Sequence, residues 1–269
     1  MDKKLVLDKY KNPEEKLLVS KFFDKLDLSA KNNKIELTDF FNEHEQTILK
    51  NIISLLKLEN CMWYGGFEEC ERKIIIIYPN KLRAIFELNN FKFDTILSVF
   101  RITLPKEKQS EFNHSVYLGG LIKLGINRSK IGDIITYENG ADIIVKKEIE
   151  KFLYANLKSL TRFSESKIDI IKLSEIIKKD KSFLDIKIIT SSLRLDNIVA
   201  ELAKTSRNKA IEILNQERVF VNYENETKNT KQIKENDIIT IRGKGKFIIF
   251  KIEGNTRKGN FIINIKKYV

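Results

Sequence analysis

The chain has 269 residues, of which 42% are hydrophobic and 32% charged, with three prolines and eleven glycines. That balance predicts two or three folded domains and excludes a largely disordered chain. The net charge of +12 points to a polyanionic partner. It is unevenly spread: residues 191–269 hold 16 basic against 9 acidic residues, net +7, while residues 1–190 hold 33 against 28, net +5. A uniform enrichment in lysine would not load the last third of the chain in this way. Cys61 and Cys70 fit neither a metal spacing nor a C-x-x-C pattern and read as unpaired structural thiols. The first residues lack an apolar signal core, and the aliphatic runs are far shorter than the roughly 18 residues that cross a bilayer. A cytoplasmic location, with no membrane association, is the expectation.

Residues 1 to about 58 read as helical. Leu17, Leu18, Phe22 and Leu26 recur at helical spacing, and so do Phe40, Phe41, Ile48, Ile52, Ile53 and Leu56. Thr38 is the expected N-cap of the second helix, and His44 the expected surface residue within it. Residues 61–78 then read as strand, turn and strand, with Gly65-Gly66 at a bend.

From 91 to about 173 the order is strand (ending at Pro105), helix 115–125 with Gly125 at its end, and a hairpin turning at Asn139-Gly140. A second helix from Glu148 and a strand over 166–173 follow. The order β-α-β-β-α-β is that of a ferredoxin-like, split βαβ domain. The polar segment over 174–183 reads as a linker or surface helix. The predicted fold class is therefore α+β, with a helical region and strand pair over 1–78, a ferredoxin-like domain over 79–175, a linker over 176–190 and a basic domain over 191–269.

In the last segment Leu195, Ile198, Val199 and Leu202 form one apolar stripe. Ser206 caps a second helix that buries Ala210, Ile213 and Leu214, and Val219 and Val221 share one face of a strand that can pair with 237–242. Arg207 and Lys209 lie in the first helical turn, where the helix dipole disfavours cations. Cations against that preference point to a bound phosphate, with Arg194 and Lys204 joining the same side.

Arg194, Leu195, Asp196, Ser206, Arg207, Ala210, Val219, Val221, Asn222, Asp237 and the stretch Arg242–Phe247 together resemble the S-four domain, the αL RNA-binding motif. The resemblance implies Arg194, Ser206, Arg207, Lys209 and Asn222 at the RNA surface, and the cations Lys204, Arg218, Arg242, Lys244 and Lys246 are expected to bind RNA with them. Glu217, Tyr223 and Asn236 stand where that motif usually has glycine, at turn positions that favour a positive φ. Upstream, the stretches around Trp63-Tyr64-Gly65-Gly66 and His114–Ile134 resemble the YlmH family. That resemblance implies a bacterial RNA-binding protein of the ribosome, acting in ribosome-associated quality control on a large subunit that still holds a tRNA-linked nascent chain. It would bind rRNA and tRNA; an older label for the family is cell division.

No enzyme signature emerges. Asp196 opens the S-four segment instead of a pseudouridine-synthase domain, so it is expected to be a helix-start acid or the partner of a nearby arginine. Gly243-Lys244-Gly245-Lys246 lacks the P-loop hydroxyl and reads as a basic hairpin turn. His114 has no nucleophile or carboxylate at a useful spacing. Arg128 and Lys130, in the loop 125–130, are candidates for a secondary RNA contact. The expected chain is non-enzymatic, without cofactor, metal or small-molecule substrate. The competing readings are an RNA-modifying enzyme anchored by its S-four domain and a cell-division-associated interaction protein.

Overall fold

A computed structural model describes residues 3–88, 90–109, 112–178 and 183–268. The chain divides into two units, Met1–Lys179 and Asp180–Val269.

The first unit opens with α1 (Lys3–Leu7) and α2 (Pro13–Asn32), followed by β1 (Glu36–Leu37), α3 (Glu43–Leu55), β2 (Cys61–Tyr64) and β3 (Ile74–Ile77). α3 starts later than Thr38. Its cap is Asn42, whose side chain accepts from the Glu45 N–H at 2.9 Å, while the Glu45 carboxylate accepts from the Asn42 N–H at 2.7 Å. This reciprocal capping box satisfies two N–H groups that the helix cannot. Phe40 and Phe41 therefore precede the helix. Thr38 is buried, and its hydroxyl accepts from the Ile75 N–H at 2.8 Å, tying the chain to β3. His44 is half-buried, with Nε2 3.1 Å from Glu15.

The three strands pair in the order β1-β3-β2. All four isoleucines of β3 have 0% exposure, which explains an unbroken apolar run where a half-exposed strand would alternate. Ile75 and Ile77 pack with α2 and α3. Ile74 and Ile76 pack the other way, with Leu97, Val99 and Ile144.

Those last three residues belong to the next segment: α4 (Arg83–Glu87), β4 (Leu97–Thr103), α5 (His114–Lys123), β5 (Ile131–Tyr137), β6 (Gly140–Lys146), α6 (Glu150–Asn156) and β7 (Lys167–Ile171). The antiparallel sheet order β5-β6-β4-β7 is the ferredoxin-like one. One sheet face packs on α5 and α6 through Phe100, Ile102, Ile143, Tyr117 and Leu153. The other completes the core with β3. The boundary expected at residue 78 thus runs through a shared core, and residues 1–175 form one unit.

Polar cross-links reinforce that core. The Asp133 carboxylate accepts from the Glu71 and Arg72 N–H groups at 2.8 and 2.9 Å. The Arg72 guanidinium donates to the carbonyls of Ile131 and Phe40 at 3.0 and 2.9 Å. At the hairpin the two loop residues are Glu138 and Asn139, and Gly140 is already in the strand opposite Tyr137 and Thr103. Gly140 is needed for a close approach and not for a left-handed turn: a Cβ there would lie 1.9 Å from the Ile102 carbonyl oxygen.

The second unit contains β8 (Phe183–Thr190), α7 (Leu195–Ala203), α8 (Arg207–Asn215), β9 (Val219–Val221), β10 (Glu224–Asn225), β11 (Ile238–Ile241), β12 (Gly245–Asn255) and β13 (Phe261–Tyr268). They form one antiparallel sheet in the order β10-β9-β11-β12-β13-β8. The expected linker over 176–190 is corrected here. Residues 179–182 lie outside the described residues, and 183–190 is an edge strand paired along its whole length, from Phe183 opposite Tyr268 to Thr190 opposite Phe261. α7 and α8 cover one sheet face, burying Leu195, Ile198, Val199, Ala210 and Leu214 against Val219, Val221, Ile239, Phe247, Ile249 and Ile263.

Candidate RNA-binding surface of the C-terminal unit

α7 begins under restraint from the loop before β11. The N–H groups of Leu195 and Asp196 donate to the carbonyls of Lys231 and Asn229 at 2.8 and 3.1 Å. Arg194, the N-cap residue, provides no side-chain cap. Asp196 sits in the first turn with its carboxylate fully shielded from solvent, accepting from the Asn197 N–H at 2.9 Å. Arg194 donates to it through Nε and a terminal nitrogen, at 3.2 and 2.8 Å. Arg207, at the start of α8, donates to it at 3.1 and 2.8 Å. Burial alone would raise the Asp196 carboxyl, but the hydrogen bonds and charges of these two arginines outweigh it and hold the group below the ordinary carboxylate value. The buried acid thereby fixes two guanidinium groups side by side at the rim, 31% and 51% exposed.

The turn between the helices places further polar groups beside them. α7 ends in a Schellman motif: Lys204 is left-handed (φ 52°), and the Lys204 and Thr205 N–H groups donate to the Glu201 and Ala200 carbonyls at 3.2 and 2.9 Å. Ser206 then caps α8, accepting from the Lys209 N–H at 3.3 Å. Lys204, Ser206, Arg207 and Lys209 are all exposed. Arg194, Lys204, Ser206, Arg207 and Lys209 are therefore gathered around one inter-helix turn, and two of the cations are held in place by a buried carboxylate.

The remaining expected residues fall elsewhere. Arg218 follows the far end of α8, roughly 13 Å along the axis of this nine-residue helix. It donates to the Arg242 carbonyl at 3.0 Å and lies against Gly243. Arg242 covers the Phe220 ring at 4.9 Å, and Lys244 occupies the exposed β11–β12 turn beside them. Lys246 is on the sheet face away from the helices, 5.1 Å from the Tyr223 ring centre and 4.7 Å from that of Tyr268. Asn222 is committed to the fold. Its side-chain amide donates to Asp237 at 2.8 Å and its oxygen accepts from the Ile238 N–H at 2.9 Å.

The glycine-type turn positions keep their backbone shape without glycine. Glu217, Tyr223 and Asn236 have φ of 55°, 69° and 68°, and Asn222 beside Tyr223 has a φ of 51°. With Val221 opposite Glu224, Asn222-Tyr223 is a two-residue turn with both φ positive.

Comparison with known proteins finds three similarities. Residues 91–175, the span from just before β4 to just after β7, match the family described as "Putative RNA-binding domain in YlmH". The chain is 29% identical over 236 residues to the Bacillus subtilis (strain 168) protein named "Ribosome-associated protein quality control protein P2", covering 87% of this chain and 88% of that one. Over residues 91–175 the chain is similar to the YlmH family. A solved structure, the cell division protein ylmH from Streptococcus pneumoniae, aligns with 20% identity and a TM-score of 0.48 over 63% of this chain and 98% of that one.

Within the YlmH RNA-binding domain, Arg128 and Lys130 turn out to serve the fold. The Arg128 guanidinium donates to the carbonyls of Ile131 and Gly132 at 2.6 and 3.1 Å. Burial, and then the charge of Arg72, push it down to about 10. Lys130 pairs with Asp39 and Glu148 at 2.7 and 2.8 Å. His114 opens α5; burial, followed by the Arg128 charge, lowers its pKa. Both cysteines are free thiols pushed up to about 12 by burial, which suppresses thiolate chemistry. The expected pairing of Asp196 with a nearby arginine is met by Arg194, two residues away, whereas sequence patterning missed the second partner, Arg207, eleven residues on.

Proposed function

We propose that this chain is a non-enzymatic, cytoplasmic RNA-binding factor that docks on the ribosome, gripping the backbone of large-subunit rRNA and tRNA through the α7–α8 turn of its C-terminal unit. The observation that carries the reading is the pair of arginines, Arg194 and Arg207, presented by one buried carboxylate beside exposed Lys204 and Lys209. Fixed guanidinium forks suit phosphate oxygens, because their donors are planar and already oriented. The YlmH-type domain over 91–175 and the name of the Bacillus subtilis relative support the choice of RNA and of the ribosome. Specificity would come from the shape of folded RNA, since these side chains address phosphates and carry no base code.

The test is a salt titration of binding to a folded tRNA. Affinity should fall linearly with the logarithm of salt concentration. An Arg207→Ala/Lys209→Ala variant should lower that slope by roughly two phosphate contacts, about 1.4–1.8 in the log–log plot. An unchanged slope would remove this turn from the interface.

A further inference from the structure

The sheet of the C-terminal unit has a second face, turned away from α7 and α8. Strand register places one transverse row across it. Phe220 stands opposite Thr240, and Thr240 opposite Lys246. The Lys246 ammonium lies 4.7 Å from the Tyr268 ring centre, and Tyr268 stands opposite Phe183. Their strand neighbours Val219, Val221, Ile239, Ile241 and Phe247 point into the core, so the row belongs to the opposite face. A second cluster lies alongside: the Lys266 ammonium is 4.0 Å from the Phe250 ring centre and 5.8 Å from that of Phe183. Arg242 sits over Phe220 at one end. Phe250 and Phe183 are 49% and 38% exposed. Asp185, opposite Lys266, and Glu253, which accepts from Lys187 and Asn264 at 2.9 and 2.8 Å, are acids on the same face, and both lie away from Lys246 and Arg242.

Rings left in solvent on a sheet, each within reach of a cation, are poorly explained by folding. Apolar anchors for a protein partner would not need a cation at every ring. A partner offering flat π-faces joined by negative charges fits both parts: rings accept bases, and Lys246, Lys266 and Arg242 accept the intervening phosphates. Duplex RNA keeps its bases stacked inside, so only an unpaired strand can use the rings.

We infer that this sheet face is a second RNA site, a stacking platform for a single-stranded segment, separate from the α7–α8 turn. It rests on the reading of the chain as an RNA-binding protein and adds a second, single-strand surface to it.

The test uses the full chain and fluorescence anisotropy with two probes: a labelled oligouridylate of about 12 nucleotides and an RNA duplex of the same length. A Phe183→Ala/Phe250→Ala variant should bind the oligouridylate at least about tenfold more weakly, because each lost stack costs roughly fivefold or more. It should keep duplex binding within about twofold. An Arg207→Ala/Lys209→Ala variant should do the reverse. Far-UV circular dichroism checks that the aromatic variant folds. Phe250→Leu, which keeps apolar bulk without the ring, should show the same selective loss. Oligouridylate binding that is absent in the wild type, or unchanged in both aromatic variants, overturns the platform while leaving the helix-turn reading intact. Duplex binding that survives the Arg207→Ala/Lys209→Ala change, with a selective aromatic effect, would instead overturn the helix-turn reading and keep the platform.

Discussion

The Asp196 carboxylate lies 2.8 Å from the Arg207 guanidinium, and these two residues of different helices are joined at a point closed to solvent on the acid's side. The pair does two jobs. It locks the α7–α8 turn, and it stops a rim arginine from sampling the conformations that would otherwise cost entropy on binding RNA.

The clamp predicts a specific acid sensitivity. A carboxyl held below its ordinary value stabilises the fold above the ordinary carboxylate pKa of about 3.9, and that stability is lost as pH falls through the lowered value. Glu226 and Glu253 in the same unit are also lowered, so unfolding below about pH 4 should persist in an Asp196→Asn variant but with a shallower dependence. At neutral pH that variant should lose about 1–3 kcal/mol, since the neutral amide cannot satisfy two guanidinium groups. Urea denaturation across pH measures both effects; a variant with the wild-type pH profile would refute the clamp.

Gly140→Ala should damage the YlmH-type domain. A methyl group 1.9 Å from the Ile102 oxygen forces β6 off β4, and overpacking of this kind costs about 2 kcal/mol or more. A markedly lower thermal midpoint is expected, with no change if the strands can separate freely there.

Glu217→Gly should stabilise the second unit. Glu217 ends α8 at φ 55°, with its N–H bonded to Leu214 at 2.9 Å. Glycine meets no Cβ penalty at this position, and the expected gain is about 0.5–1 kcal/mol. The denaturation midpoint should rise with RNA affinity unaltered.

Arg128→Ala separates folding from binding. It leaves the Ile131 and Gly132 carbonyls without their donor and should cost about 1–2 kcal/mol of stability. RNA affinity at a temperature where the variant is folded should match the wild type. A large loss of affinity there would return Arg128 to the RNA surface.

Much of this architecture could be read from local patterning. The β-α-β-β-α-β order, the apolar stripe Leu195–Leu202 and the Ser206 cap depend on neighbours within a few residues, and the structure has them where expected. Failures came where partners are remote. Ile74–Ile77 gives no clue that its two faces serve two different packings. Phe40 and Phe41 mimic a helical stripe, although Asn42 and Glu45 carry the readable start signal. Phe183–Thr190 follows a lysine-rich stretch and has an exposed edge, so its strand character emerges only from pairing with β13. The same dependence hid the ring-and-cation face, because register alone decides that Phe183, Tyr268 and Lys246 meet.

The most direct test of the central claim is sedimentation of a cell lysate through sucrose at low and high salt, comparing the wild-type chain with Arg207→Ala/Lys209→Ala. The account predicts that the wild type travels with large ribosomal subunits at low salt, and that either high salt or the double substitution returns it to the top of the gradient. A wild type that stays at the top under all conditions, or a variant that still sediments with the subunits, would contradict it.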